Sequence, residues 1–201
     1  MKFVCLEGCS GVGKTTQFHL LVEYFQKTKL KTLGVVEKHY EPFKLEVNNW
    51  YKTKGPKFPF TKKDITNFAK ARMQTFENNF KNLGYDLLIF DRYFYTSAAY
   101  QISSGLEPQE IIDLNKKYGA PTPNLTFLLD CDPVDSFLRS QSRNAITGVN
   151  SVFSTNLKKV RELRFNYYTL LNQNSEMELI NTNRNIREIQ QDLIDKIIRI
   201  L

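Results

Sequence analysis

Eight residues near the start of the chain constrain it more than any others. GCSGVGKT, Gly8 to Thr15, is the GxxxxGK[ST] pattern, a glycine-rich turn whose backbone N–H groups close around phosphate oxygens. It follows the apolar run KFVCLEG (2–8). It opens a stretch (14–28) in which Phe18, Leu21, Val22 and Phe25 recur at i, i+3, i+4 and i+7, the spacing of a helix face. Strand, loop and helix in that order are the context the pattern needs, because the loop then meets the positive end of a helix dipole. The segment predicts an ATP or GTP site built from Gly8, Cys9, Ser10, Gly11, Val12, Gly13, Lys14, Thr15 and Thr16. Lys14 would reach the β- and γ-phosphate oxygens, and the Thr15 hydroxyl would hold Mg2+.

Four further apolar runs follow: TLGVVEK (32–38), YDLLIFD (85–91), NLTFLLDCD (124–132) and MELINT (177–182). Unbroken runs of this length suit strands covered on both faces. Amphipathic stretches lie between them. Over 62–83, Ile65, Phe68, Ala69, Met73, Phe76 and Phe80 share one face; 154–172 and 185–201 have similar spacing, the latter with Ile186, Ile189, Leu193, Ile197 and Ile198. Strands alternating with helices predict an α/β fold of P-loop NTPase type, a parallel sheet flanked by helices on both faces. No repeat or linker divides the 201 residues, so one domain is expected over 1–201. Two segments fit this plan poorly: 42–61, rich in Pro, Lys and aromatics, and 139–153, polar with two arginines. Both read as loops or lids, and 139–153 is the expected lid.

A formal net charge of +7 admits a nucleic-acid partner or a site for small polyanions. The lysines are spread out, with no block of five like charges, which favours the second and argues against nucleic acid. Cys5, Cys9 and Cys131 form no CxxC pair and read as reduced thiols of a cytoplasmic protein. The N-terminus shows no charged-then-apolar leader, and nothing approaches 18 consecutive apolar residues, so no membrane span is expected.

DRYFYTSAAYQ (91–101) ends the third apolar run. An Asp at the end of a strand beside a P-loop is placed to steer Mg2+ and its waters, and Arg92 can fork onto a second phosphate group. An N-terminal cap on the next helix with a surface ion pair is the plainer reading of the same two residues. In FAKAR, Phe68 and Arg72 stand one helical turn apart, where a ring could stack a planar base and the guanidinium bond its carbonyl; Phe68 also lies on the apolar stripe, and spacing alone favours a core phenylalanine. RSQSR places Arg139 and Arg143 at i, i+4, either a solvated helix end or cations closing over a transferring phosphoryl group.

Taken together these residues resemble the thymidylate kinase family. LEGCSGVGKTTQ is similar to its strand and P-loop, DRYFYTSAAYQ to its DRY segment, PNLTFLLDCDP (123–133) to its fourth strand, FAKAR to its Phe-x-x-x-Arg thymine clamp, and LINTNRNIREI (179–189) to its last strand and loop. The resemblance implies a five-stranded parallel sheet, a homodimer, and transfer of the ATP γ-phosphate to dTMP with Mg2+. It further implies that Phe68 stacks the thymine, Arg72 bonds its oxygen, Arg92 holds the acceptor phosphate and Asp91 the metal water. Tyr100 would lie beside the sugar, Ser97 and Glu41 near the acceptor nucleotide, and Arg184 at the adenine.

The chain departs from the family pattern in three places. Ser10 stands where many members carry an acid. Tyr40 stands where Arg precedes Glu-Pro, leaving Lys38 or His39 as substitutes. Gly11 and Val12 leave the P-loop without an arginine, so catalysis would fall to Arg143 first and Arg139 second. Three rival readings remain: a deoxynucleoside kinase with Glu41 as base, a kinase accepting dUMP, and a catalytically silent nucleotide binder. A P-loop switch or nucleic-acid ATPase would need switch motifs or a basic groove, and the sequence has neither.

Overall fold

The computed structural model describes residues 1–54, 59–101, 105–148 and 156–201. Five strands form one parallel sheet in the order β2-β3-β1-β4-β5: β1 (Lys2–Glu7), β2 (Thr32–Val35), β3 (Leu87–Asp91), β4 (Leu125–Asp130) and β5 (Met177–Asn181). Each lies inside one of the five apolar runs. Val4, Leu6, Ile89, Phe90 and Phe127 are fully buried, as strands sandwiched between helices must be.

Because every strand is parallel, all five C-terminal ends share one edge of the sheet. Leu6 pairs with Asp91 and Glu7 with Leu128, so the loop leaving β1 emerges between the ends of β3 and β4. A crevice outside the carboxyl ends of parallel strands is the general ligand position in such sheets.

The helices expected from periodicity appear as α1 (Lys14–Gln26), α3 (Lys62–Asn79), α7 (Leu157–Gln173) and α8 (Ile186–Ile198). The α3 stripe faces inward as expected, but the helix stops four residues short of 83, where Asn82 and Gly84 take left-handed backbone. On α8, Ile189, Leu193, Ile194 and Ile197 are buried, whereas Ile186 and Ile198 are exposed, so the apolar stripe is narrower than the spacing suggests. Asn156 and Asn185 cap α7 and α8 with their side chains.

Both segments read as loops contain helix. α2 (Phe43–Thr53) occupies most of 42–61: Phe43, Val47 and Trp50 fall at i, i+4 and i+7 and pack on Phe68 and Ala71, with Lys and Asn on the open face. In 139–153, α6 (Pro133–Thr147) continues to Gly148, whose left-handed φ of 69° ends it; the expected lid beyond 148 lies outside the described residues. α4 (Phe94–Tyr100) and α5 (Pro108–Lys117) complete the set. Among the described residues no helix is long and apolar enough to cross a membrane.

Candidate active site

The P-loop is held by close backbone approaches. A Cβ at Gly8 would run into the Leu129 carbonyl oxygen of β4, and one at Gly11 into the Ser136 carbonyl oxygen of α6. Only glycine permits both contacts, and both residues have positive φ. Lys14 lies buried under the loop, its Nζ donating to the Cys9 carbonyl at 2.5 Å. Burial, reinforced by the charge of Arg92, pushes its ammonium down to about 7. Burial also pushes the Cys9 thiol up to about 11, so it stays neutral. All three cysteines are free and buried.

Thr15 Oγ1 donates to Asp91 Oδ2 at 3.3 Å, while Asp91 Oδ1 is buried with no hydrogen-bond partner among the described residues. A hydroxyl beside a carboxylate with an uncommitted oxygen, at the foot of a P-loop, is an oxygen donor set suited to Mg2+ and its water. Two such donors are few for an octahedral ion, which takes its remaining ligands from phosphates and water.

Arg92 follows Asp91 with a φ of 71°, unusual for a non-glycine residue. Its NH1 group donates to the Gly8 carbonyl (3.1 Å), Thr96 Oγ1 (3.0 Å) and Tyr167 OH (3.3 Å), and its guanidinium lies over the Tyr100 ring at 5.6 Å. Beneath it lies Glu7, fully buried. The Glu7 carboxylate accepts from the backbone N–H groups of Tyr93 (2.8 Å) and Thr96 (3.1 Å), and from Thr96 Oγ1 (2.6 Å) and Tyr167 OH (3.0 Å). Burial pushes the Glu7 carboxyl up, against the pull of Arg92 and these bonds.

Two cavities meet at this point. One, about 630 Å3, is lined by Gly11, Val12, Gly13, Lys14, Thr15 and Thr16 together with Arg139, Arg143 and Arg184, which gathers most of the residues expected to hold ATP. Arg184 is anchored at its rim by Asp192 (2.9 Å) and the Asn181 carbonyl (3.0 Å). The other, about 490 Å3, is lined by Ser10, Arg72, Asp91, Arg92, Ser97, Tyr100 and Lys38 from the expected acceptor side. Lys14, Thr15 and Arg143 line both.

Phe68 is buried behind the wall of the second cavity, its ring centroid 6.0 Å from Phe43 and 5.9 Å from Phe60, two of the rings that do line it. The Glu41 side chain is exposed and outside the residues that line either cavity, and the Glu41 carbonyl accepts from Asn79 Nδ2 at 2.9 Å. Tyr40 turns inward onto Phe80, with ring centroids 5.0 Å apart; of the two proposed substitutes for arginine there, Lys38 lines the cavity and His39 does not.

Sequence reasoning passed over Glu7, Glu37 and Gln101. Gln101 lines the acceptor cavity, and its buried Oε1 has no hydrogen-bond partner among the described residues. Glu37 pairs with Arg72 across 35 residues, a contact to which no local spacing points. Glu7 was visible only as an acid embedded in an apolar strand, the one sequence signal of a buried polar anchor.

The thymidylate kinase family model matches residues 6–193. A probable thymidylate kinase of Thermococcus kodakarensis is 31% identical over 201 residues, spanning 96% of this chain and 95% of its own. One from Methanosphaera stadtmanae is 30% identical, spanning 99% and 98%. The crystal structure of thymidylate kinase from Ehrlichia chaffeensis shares the fold, with a TM-score of 0.68 at 22% identity over 98% of this chain and 97% of that one. A P-loop facing an arginine-lined second cavity across one strand end, and a sequence match that runs nearly end to end, place this chain in the thymidylate kinase family.

Proposed function

We propose that this chain transfers the γ-phosphate of ATP to dTMP, giving dTDP and ADP. The observation that carries the reading is that a P-loop cavity and a second cavity lined by arginines meet at Lys14, Thr15 and Arg143. Donor and acceptor phosphates brought to that junction from opposite sides face each other in line.

The acceptor is itself a phosphate oxygen, so no general base is required; positioning and charge stabilisation do the chemistry. Lys14 meets the β- and γ-phosphates, whose negative charge favours its ammonium form. Arg92 holds the acceptor phosphate from the β3 end. Arg143, and Arg139 beside it on α6, neutralise charge developing on the transferring group. Thr15 and Asp91 would hold Mg2+, which when bound supplies charge neutralisation of the phosphates. In the acceptor cavity Arg72, Ser97 and Gln101 present polar groups to a base, Phe43 and Phe60 present rings in front of Phe68, and Tyr100 lies beside Arg92 at the sugar. Ser10 bounds the same space in place of an acid. Arg184 and Ile186 close the adenine end of the donor cavity.

The reading extends to a single kinase domain with its lid over about 139–153, working as a homodimer in the cytoplasm. Sedimentation at twice the chain mass would support the dimer, and sedimentation at the chain mass would refute it. The test of the activity is ADP release from ATP·Mg2+ with dTMP, dUMP, UMP and thymidine offered separately. Turnover on dTMP far above the others is expected. Preferred use of thymidine would transfer the chain to the nucleoside kinases, with Glu41 as base, and preferred use of dUMP would reassign the base pocket.

A further inference from the structure

Arg72 is an unusual arginine: its side chain is 1% exposed, in the wall of the acceptor cavity. Burying a guanidinium is expensive unless each part of it is answered. Here Nε donates to Glu37 Oε1 at 2.7 Å, NH1 to Asn115 Oδ1 at 2.5 Å and NH2 to Ser97 Oγ at 3.2 Å. The Phe43 ring lies 4.6 Å and the Tyr93 ring 5.2 Å from its central carbon. Three of the five N–H groups are therefore committed, one on each nitrogen, and the aromatic contacts restrict tilting.

Glu37 is the anion in this arrangement. It lies in the one-turn 3-10 helix Glu37–His39 directly after β2, is 7% exposed at the side chain, and also lines the cavity. Burial pushes its carboxyl up, and Arg72 opposes that. A buried ion pair is poor value for stability, since well-packed apolar residues serve as well or better. A pair retained in the wall of a substrate cavity has another use. With Nε tied to Glu37, the guanidinium is fixed about its own stem, and the uncommitted donors sit on the two terminal nitrogens.

We infer that Glu37 is a positioning residue that fixes Arg72 as a donor-only reader of the acceptor base, and that it thereby sets the preference for a 4-keto over a 4-amino pyrimidine. The inference rests on the reading of the acceptor as a pyrimidine monophosphate. A carbonyl oxygen accepts from the fixed fork, whereas an exocyclic amine would set donor against donor. Without the carboxylate, Nε loses its partner and the buried charge is no longer matched, so the fork is held only by Asn115, Ser97 and the two rings.

The test is steady-state kinetics of the full chain with ATP·Mg2+ and either dTMP or dCMP. Turnover of the unaltered chain on dTMP decides the substrate reading separately, before any variant is compared. Glu37→Gln is expected to raise KM for dTMP on the order of tenfold, the scale of a lost charge-assisted hydrogen bond. It should leave KM for ATP within about twofold and narrow the dTMP-to-dCMP ratio of kcat/KM. In an Arg72→Ala background the same change should add nothing further, because the reader is already gone. Equal rises in both KM values, an unchanged dTMP-to-dCMP ratio, or full additivity with Arg72→Ala would overturn the inference. If Glu37→Gln does not fold, Glu37→Asp keeps the charge while shortening its reach, and is judged by the same ratio of KM values.

Discussion

A lysine buried beneath a glycine loop, its ammonium pushed down to about 7, is held in a place unfavourable to it until an anion arrives. Its partner across the junction, Arg92, sits on a backbone twisted to positive φ. Charges preorganised in this way are where turnover should be most sensitive. Lys14→Ala and Arg92→Ala are each expected to lower kcat at least about 100-fold, the scale of a preorganised charge contact. Near-native turnover in either would refute the assigned mechanism. Arg72→Ala should raise KM for dTMP far more than KM for ATP, and equal losses would remove Arg72 from the base site. Gly11→Ala should abolish nucleotide binding measured by calorimetry, because its methyl group would collide with the Ser136 carbonyl on α6. Retained affinity would mean that α6 can withdraw from the loop at little cost.

The second cavity owes its wall to elements rather than to single residues. α3 carries Phe68 and Arg72, and its start is fixed by a capping box: Thr61 Oγ1 accepts from the Asp64 backbone N–H, and Asp64 Oδ2 accepts from the Thr61 backbone N–H. Asp64 also binds Lys54 of the segment after α2 at 2.7 Å, so one carboxylate ties the two cavity-forming helices together. Thr61→Ala is expected to cost about 1 kcal/mol, seen as a lower denaturant midpoint with an unchanged slope. Desolvation pushes the Asp64 carboxyl up, but the bonds from Lys54 and Thr61 outweigh it and hold it below its ordinary value of 3.8. The unfolded chain then binds more protons than the folded one just below that value, so this contribution is whole above pH 3.8 and is lost as pH falls through the lower folded pKa. Asp64→Asn should flatten that part of the stability profile in acid titrations; an unchanged acid limb would show that the carboxylate is not what ties α2 to α3.

At the scale of the molecule, α6 links the parts. It supports the P-loop through Ser136 and sends Arg143 to the junction of the two cavities. Arg143→Ala is accordingly expected to lower kcat on the order of tenfold or more while shifting both KM values less, as measured in saturation kinetics; a pure KM effect would place it in binding alone. α6 is also where sequence reading fell short, for a definite reason. Its buried side is Ser136, Ser140 and Asn144 at i, i+4 and i+8, while Val134, Leu138 and Ile146 are exposed. The helix is amphipathic in the inverse sense, small polar residues inward for close approach to the loop, so a search for an apolar stripe misses it. α2 was hidden differently, by Pro, Lys and aromatic content that outweighed the quiet i, i+4, i+7 spacing of Phe43, Val47 and Trp50. The sequence by itself determined the five strands, the P-loop and its helix, the parallel sheet and the Asp91-Arg92 pair, because each is written in a continuous run or a fixed local spacing. Tertiary structure alone decided that Phe43 and Phe60 stand in front of Phe68, that Lys38 rather than His39 reaches the cavity, and that Glu37 holds Arg72 and Glu7 underlies Arg92. Those relations join residues far apart in the chain, and only the packing of helices across a parallel sheet brings them within hydrogen-bond distance.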